Sequence, residues 1–116
     1  MRSIKFRAWR ESQKLMLKPH SLIDLFKYGS IVNPDGVIWM QFTGLRDRNG
    51  VEIYEGDIIH NSNFTDECNH VVDMFEDLGC WFMTDTKEGY AEPLNEWLDS
   101  SVVIGNIHQN PELLES

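Results

Sequence analysis

The middle of the chain carries a dense group of oxygen-bearing side chains that could bind a divalent cation. They occur within "TGLRDRNGVEIYEGDII", residues 43–59, and are Asp47, Asn49, Glu52, Glu55 and Asp57. A helix-loop-helix calcium site needs ligands at loop positions 1, 3 and 5, glycine at position 6 and glutamate at position 12. Counted from Asp47, position 5 is Val51, position 6 is Glu52 and position 12 is Ile58. The spacing therefore argues against a calcium loop.

Cysteine and histidine side chains are the other candidate metal ligands. Cys68 and His70 form one close pair, Cys80 follows farther along, and His60 and His108 are more distant. A structural zinc site usually takes its ligands from two close pairs, and only one is present. Cys80, in "CWFMT", has the apolar neighbours typical of a buried thiol. We expect no metal, no cofactor and, in a chain without a secretion signal, reduced cysteines.

The patterns of nucleophilic and phosphate chemistry are not found in the sequence. It contains no Gly-x-Ser-x-Gly motif, and Gly44 and Gly50 lack the lysine and the strand-to-helix context of a P-loop. Two carboxylates could act as a glycosidase-like pair, although no pair stands out. We therefore predict a non-enzymatic protein, with a carboxylate-pair enzyme as a distant alternative.

Basic and aromatic side chains alternate near the N terminus, in "IKFRAWR". On a strand, Lys5, Arg7 and Trp9 share one face, and Arg10 lies just beyond it. Such a face could stack a nucleic-acid base or bind a partner's acidic groups. The structural interpretation, in which Trp9 closes a barrel and the basic residues are solvated or paired with acids of the same chain, is favoured.

The net charge of −9 is unevenly distributed. Residues 1–48 contain nine Lys and Arg and four Asp and Glu, a charge of +5. Residues 49–116 contain one Lys and fifteen Asp and Glu, a charge of −14. An acidic body repels phosphate backbones, so nucleic-acid binding ranks below protein binding. Charge pairing within the fold or between subunits explains the imbalance best, and an acidic inhibitor that imitates nucleic acid is a further alternative.

The length of 116 residues, with 41% apolar and 25% charged residues, is typical of one globular domain, residues 1–116. The charged N terminus has no apolar signal segment, and no window approaches the roughly 18 apolar residues of a membrane span. We expect a cytoplasmic protein that does not bind membranes.

Turn chemistry accounts for the glycines of the central stretch. Asn49-Gly50 predicts a hairpin turn because both residues tolerate positive φ, and Asp47 can accept hydrogen bonds from the turn amides. Gly56-Asp57 predicts a corner at which the chain passes from one sheet to the next. A short strand joins the two turns. The stretch therefore indicates architecture rather than catalysis.

The rest of the sequence predicts short strands and brief helices. Strands are expected in "IKFRAW", "LML", "VIWMQF", "NHVVDMF", "CWFMT" and "SVVIGNI", with "VIWMQF" buried on both faces or nearly so. Pro19 is expected to close the first hairpin. Helices are predicted at 22–28, at "EPLNEWLD" with Pro93 at its first helical position, and at "NPELL" with Asn110 as its cap. These elements favour a mainly β fold, a small barrel or roll with short helices.

Three sequence blocks resemble the YopX family of bacteriophage and prophage proteins. They are "IKFRAW", "MQFTGLRDRNGVEIYEGDII" and "VIGNIHQNPELL", in this order and at this chain length. The resemblance implies an SH3-like small barrel and a protein of unsettled biochemical function, with no catalytic residues to carry over. The matching positions expected to be structural are Gly44, Asp47, Gly50, Gly56, Asp57, Gly105, Asn106 and Pro111.

These inferences predict a phage or prophage accessory protein that acts as an interaction module, alone or as a homo-oligomer. Small barrels recognise partners through exposed aromatic residues on strand faces and loops. The candidate residues for an unidentified protein partner are Lys5, Arg7, Trp9, Trp39 and Tyr54. A nucleic-acid-associated protein that uses the Lys5, Arg7, Trp9 and Arg10 face is the leading alternative.

Overall fold

The structure, a computed structural model, describes residues 5–21, 37–64, 69–75, 79–87 and 89–114. Within them the fold is mainly β, and its curled sheets form a half-barrel, which confirms the predicted fold class. The strands are β1 (Lys5–Arg10), β2 (Leu15–Ser21), β3 (Val37–Arg46), β4 (Glu52–Tyr54), β5 (Asp57–Asn61), β6 (His70–Phe75), β7 (Cys80–Asp85), β8 (Ala91–Pro93) and β9 (Ser101–Asn106). Short 3₁₀ helices span Glu11–Gln13, Leu94–Glu96, Leu98–Ser100 and Pro111–Leu114. The helix predicted at 22–28 and Cys68 lie outside the described residues. So does the stretch "NPDG", residues 33–36, in which the proline and the glycine predict a turn.

One sheet has the strand order β2-β1-β3-β4. The predicted β1–β2 hairpin is confirmed, with Arg10 paired to Leu15 and Lys5 to Ser21. The prediction that Pro19 closes this unit is wrong, because β2 continues to Ser21. β2 is at the edge of the sheet, where a proline that cannot donate a hydrogen bond is tolerated.

β3 is the long central strand of this sheet. Met40 and Phe42 are buried on one face, whereas Trp39 and Gln41 are only half-buried on the other. The prediction that this strand is buried on both faces, or nearly so, is therefore only partly correct. β3 pairs with β4 at Phe42–Tyr54 and at Arg46–Glu52, and the register shifts between these two pairs. Gly44, with a φ of 83°, lies within this irregular stretch. A glycine at such an irregularity lets the strand bend.

The other sheet has the order β8-β7-β6-β5-β9 and contains most of the core. The predicted β6–β7 hairpin is confirmed, with Phe75 paired to Cys80. The buried cluster consists of Ile53, Ile59, Val72, Met83 and Leu94, each at most 1% exposed. The prediction of a buried Cys80 is wrong: Cys80 is exposed, because it is the first residue of β7 and lies at the margin of the sheet.

The helix predicted at "EPLNEWLD" is replaced by a strand and two 3₁₀ turns. Pro93 lies in β8, paired with Phe82, and the backbone at Trp97 (φ −122°) separates the two turns. Pairing with β7 keeps the chain extended through Pro93, so an α-helix cannot begin there. Leu94 still reaches the core at 0% exposure, as its apolar character required.

Candidate functional site

The Asp47 carboxylate organises the β3–β4 turn. Its Oδ1 accepts hydrogen bonds from the backbone N–H groups of Asn49 (2.8 Å) and Val51 (2.9 Å), and its Oδ2 accepts one from Val103 (2.8 Å). Gly50 has a φ of 82°, whereas Lys14 is the single non-glycine residue with positive φ in the described part of the chain. The predicted turn is therefore confirmed, but only Gly50 and not Asn49 uses the left-handed region. Both carboxylate oxygens face N–H donors, which leaves them poorly placed for a cation.

The predicted corner at Gly56-Asp57 is also confirmed, and it holds a buried ion pair. Gly56 has a φ of 84°, and Asp57 is 1% exposed. Asp57 Oδ1 lies 2.6 Å from Arg7 Nη2, and its Oδ2 accepts a hydrogen bond from the Tyr54 N–H at 2.7 Å. Burial raises the pKa of Asp57, although the Arg7 charge and the Tyr54 hydrogen bond act in the opposite direction. The corner thus links β1 of one sheet to β5 of the other.

Lys5 extends this junction along the same face of β1. Its ammonium group pairs with Glu52 and lies 4.7 Å from the centroid of the Phe42 ring. Burial acts to raise the pKa of Glu52, but the Lys5 hydrogen bond and charge outweigh it, so the pKa is lowered. Burial and the neighbouring Glu52 raise the pKa of Tyr54 to about 12, which keeps its hydroxyl protonated and able to donate to Glu52.

Trp9 lies at the far end of this face and is 2% exposed. Its Nε1 donates to Glu11 Oε2 at 2.6 Å, and its ring stacks on His108 with a centroid distance of 5.6 Å. Burial lowers the pKa of His108. The burial of Trp9 agrees with the favoured interpretation, in which this ring closes the fold. The alternative, in which Trp9 and Tyr54 are exposed aromatic residues at a partner surface, is wrong, since both rings are buried. Trp39 is half-buried on the opposite face of the sheet.

The C-terminal block forms a hydrogen-bonded turn after β9. Asn106 Oδ1 accepts from the N–H groups of His108 (3.1 Å) and Gln109 (2.9 Å), and its own N–H donates to Asn110 Oδ1 (3.2 Å). Asn110 directly precedes the last helix, at the predicted cap position, and its carbonyl accepts a hydrogen bond from the Leu113 N–H at 3.0 Å. Its side chain bonds to the Asn106 N–H rather than to the helix. Pro111 is the first residue of the 3₁₀ helix, as predicted.

Gly105 is required for this turn by close packing. A Cβ atom at this position would lie 2.5 Å from Asn110 Oδ1 and 2.7 Å from its Cγ. Gly105→Ala is therefore expected to displace Asn110, break its hydrogen bond to Asn106 and lower the free energy of unfolding by about 1–3 kcal/mol. Chemical denaturation followed by circular dichroism measures this change. The double variant Gly105→Ala/Asn110→Ala is expected to lose less free energy of unfolding than the sum of the losses of Gly105→Ala and Asn110→Ala. A loss equal to that sum would contradict the proposed clash.

An aromatic cluster that the sequence did not predict lies at the end of β5. The Phe64 ring is 4.9 Å from His70 and 4.8 Å from Trp97, measured between ring centroids. His70 is 3% exposed, and its Nδ1 has no hydrogen-bond partner among the residues that the structure describes. Burial lowers the pKa of His70, against the raising effect of Asp85 and Glu92. His70 is therefore a neutral side chain of the interior.

This burial predicts a pH dependence of stability. The folded-state pKa of His70 is below its unfolded value of about 6.5, so the unfolded chain binds more protons as the pH falls. The contribution of neutral His70 is fully present above pH 6.5 and is lost below it, at no more than about 1.4 kcal/mol per pH unit. Between about pH 7.5 and pH 5.5, the free energy of unfolding, measured by chemical denaturation, is expected to fall less steeply for His70→Phe than for the wild type. The exposed His60 supplies the control His60→Phe; equal slopes for all three proteins would contradict the prediction.

A cleft opens between the end of β3 and the start of β7. It has a volume of about 340 Å³ and is lined by Thr43, Leu45, Gly79, Cys80, Trp81 and Asn95. Leu45 and Trp81 are partly buried and pack against the core cluster, so they form an apolar floor. The Thr43 hydroxyl donates to the Ile53 carbonyl at 2.8 Å. We call this site the β3–β7 cleft; sequence reasoning missed it because its walls come from distant segments.

Neither a metal centre nor a membrane helix is found in the part of the chain that the structure describes. No group of three or more His, Cys, Asp or Glu residues there is arranged to hold a metal ion. None of the helices within these residues has the length and apolar character needed to cross a membrane.

Comparison with known proteins identifies the family. The family model described as YopX protein matches residues 21–115. The chain is also similar to protein EF1440 from Enterococcus faecalis, whose crystal structure has a TM-score of 0.64 and 27% sequence identity over 97% of this chain and 98% of that chain. No curated protein shows significant similarity. The match covers the central and C-terminal blocks that carried the resemblance, and the chain therefore belongs to the YopX family.

Proposed function

We propose that this chain is a non-enzymatic interaction module that holds a segment of a partner protein in the β3–β7 cleft. The observation that carries the proposal is the apolar floor of the cleft, Leu45 and Trp81, beside the exposed Cys80 and Asn95 at the rim. Interfaces gain most of their affinity where an apolar anchor enters such a site and polar groups surround it. A volume of about 340 Å³ is at the lower end of ligand-binding sites and suits one large side chain with its backbone.

The charged and aromatic residues of β1 support a structural role for that strand. Arg7 is paired with Asp57, Lys5 with Glu52, and Trp9 is buried against His108. Each of these groups would have to leave an internal partner before it could contact a substrate or a nucleic-acid base. These contacts favour protein binding elsewhere on the molecule over catalysis or nucleic-acid binding by β1.

Family membership supports the biological setting of the proposal. The sequence blocks resemble a family of bacteriophage and prophage proteins, so an accessory role in the cytoplasm of the host bacterium is the setting we propose. In this setting the partner is a phage or host protein, and a second copy of the chain is the alternative occupant.

A capture experiment with matched variants tests the proposal. Tagged wild-type protein is expressed in its own host and compared with Asn95→Tyr, which adds a bulky ring at the exposed rim of the cleft. Ser12→Tyr, in the exposed β1–β2 turn, adds the same ring away from the cleft and is the control. A partner enriched at least about tenfold with wild type and Ser12→Tyr, but lost with Asn95→Tyr, is the expected result.

Two results bear on the interpretation of this experiment. Both variants are expected to have melting temperatures close to that of the wild type, since both positions are exposed. If folded Asn95→Tyr captures the same proteins in the same amounts as the wild type, the cleft is not the binding site and the proposal fails.

A further inference from the structure

We infer that the β3–β7 cleft binds an internal, extended and uncharged segment of the partner, whose apolar anchor side chain enters the cleft while the Asn95 carboxamide hydrogen-bonds to its backbone. This inference rests on the proposed function and deepens it by naming the chemistry of the partner. It follows from two features of the cleft, a lining whose described residues are all uncharged and a carboxamide at its rim.

The lining of the cleft carries no charge among the described residues. It consists of the apolar floor, Leu45 and Trp81, together with Thr43, Gly79, Cys80 and Asn95. A carboxylate, ammonium or phosphate group that entered would lose its hydration against the floor and would meet no counter-charge in this lining. Burial of an unpaired charge is strongly unfavourable. The cleft therefore favours an anchor side chain without charge.

The same cost disfavours a free chain terminus beside the anchor. The α-amino and α-carboxyl groups of a peptide are both mainly charged at neutral pH. An anchor at the first or last position of a chain brings one of these charges to the cleft, whereas an anchor within a chain brings only peptide groups. The expected occupant is therefore an internal segment.

The polar side chains of the cleft differ in what they can offer a ligand. The Thr43 hydroxyl donates its single hydrogen to the Ile53 carbonyl at 2.8 Å and accepts from the Leu45 N–H at 3.1 Å. It therefore has no hydrogen to donate to a ligand. Asn95 is exposed, and no described residue hydrogen-bonds to its carboxamide. Its NH₂ and C=O groups are thus able to bind a partner.

The neighbouring backbone fixes Asn95 at the rim. Pro93 is paired with Phe82 of β7, and Leu94 is 0% exposed in the core. The Trp97 N–H donates to the Leu94 carbonyl at 3.1 Å and closes the 3₁₀ turn that contains Asn95. In an extended segment the N–H and C=O groups of one residue point to the same side, so one carboxamide can bond to both. A carboxamide on a fixed turn makes these bonds at a low cost in entropy.

Selection from a random peptide library provides a test that does not require the natural partner. Decapeptides are displayed within a loop of a carrier protein, so that both ends are joined to it, and are selected on the full chain as wild type, Asn95→Tyr or Ser12→Tyr. Peptides recovered on wild type and Ser12→Tyr but lost on Asn95→Tyr define the cleft-dependent set. This set is expected to share an aromatic or long aliphatic residue with uncharged residues on both sides.

Synthetic versions of one peptide from the set test the preference for an uncharged, internal segment. A version that ends at the anchor with a free carboxylate is expected to bind at least about tenfold more weakly than the same version with a C-terminal amide. The affinity of the complete peptide, with acetyl and amide caps, is expected to change by less than about twofold between about 50 and about 300 mM salt.

A matched pair of variants tests the carboxamide with the same capped peptide. Asn95→Leu removes the hydrogen-bonding groups with little change in side-chain volume and is expected to weaken binding about tenfold. Gln13→Leu removes a carboxamide at an exposed position in the β1–β2 turn and is expected to change affinity by less than about twofold.

The outcomes separate this inference from the proposed function. Cleft-dependent peptides that share a charged residue beside the anchor, equal binding of the carboxylate and amide versions, or unchanged binding by Asn95→Leu would each overturn the inference and leave the proposed function standing. A selection that yields no cleft-dependent peptide also overturns the inference, and the capture experiment with Asn95→Tyr then decides the proposed function separately.

Discussion

Replacing Asp57 with asparagine is expected to lower the free energy of unfolding by about 3–5 kcal/mol. The substitution leaves the Arg7 guanidinium charged in a site where its side chain is only 12% exposed. Asparagine keeps an oxygen that can accept the Tyr54 hydrogen bond, so the loss reports on the ion pair and not on the backbone contact. Urea denaturation followed by circular dichroism measures the change.

A double-variant cycle separates the cost of an unpaired charge from the value of the pair. Burial raises the pKa of Asp57 despite the nearby Arg7, which indicates that the carboxylate pays a large desolvation penalty. The double variant Arg7→Met/Asp57→Asn removes both charges. Its loss of free energy of unfolding is expected to be roughly 1–3 kcal/mol smaller than the sum of the losses of Arg7→Met and Asp57→Asn.

The exposed Arg46–Glu52 pair supplies a matched control. The Arg46 side chain is 61% exposed, and its guanidinium lies 3.4 Å from the Glu52 carboxylate. Arg46→Met is expected to change stability by less than about 1 kcal/mol, because exposed ion pairs contribute little. A loss for Asp57→Asn no larger than that for Arg46→Met would show that the Arg7–Asp57 pair is not the centre of the sheet junction.

Local turn chemistry could be predicted from the sequence because it involves neighbours along the chain. Gly50 has positive φ as expected, Gly56 lies at the predicted corner, and Asp47 accepts hydrogen bonds from amides of its own turn. The third bond of Asp47, to Val103, spans 56 positions, and the partner of Arg7, Asp57, is 50 positions away. The charge imbalance predicted that such pairs exist, but only the strand order determines which residues meet.

Errors arose where tertiary pairing competes with local preference. The spacing of Leu94, Trp97 and Leu98 fits an α-helix, yet β8 pairs with β7 and leaves room only for 3₁₀ turns. Cys80 has apolar neighbours in sequence but is exposed, because its pairing with Phe75 is the last of the β6–β7 ladder, at the turn end of this hairpin. The β3–β7 cleft has no sequence signature, since its floor unites Leu45 with Trp81.

Replacing Asp47 with alanine is expected to lower the free energy of unfolding by about 3–5 kcal/mol, because three backbone N–H groups lose a charged acceptor. The side chain is buried, at 7% exposure, so solvent cannot fully replace these bonds. Asp47→Asn keeps one acceptor oxygen and is expected to cost roughly half as much. Asp73, which is exposed and accepts a hydrogen bond from the adjacent Met74 N–H, supplies the control Asp73→Ala, with an expected change below about 1 kcal/mol.

Hydrogen exchange distinguishes a local turn defect from loss of contact between the two sheets. Asp47 lies in the β3–β4 turn, and its Oδ2 bond to the Val103 N–H reaches β9 of the other sheet. A second bond, from the Arg48 N–H to the Ser101 carbonyl at 2.9 Å, joins the same two elements. Asp47→Ala is therefore expected to increase exchange at Val103 and in β9 as well as in the turn. Faster exchange confined to Asn49 and Val51 would show that the carboxylate stabilises only its own turn and that the half-barrel is held together elsewhere.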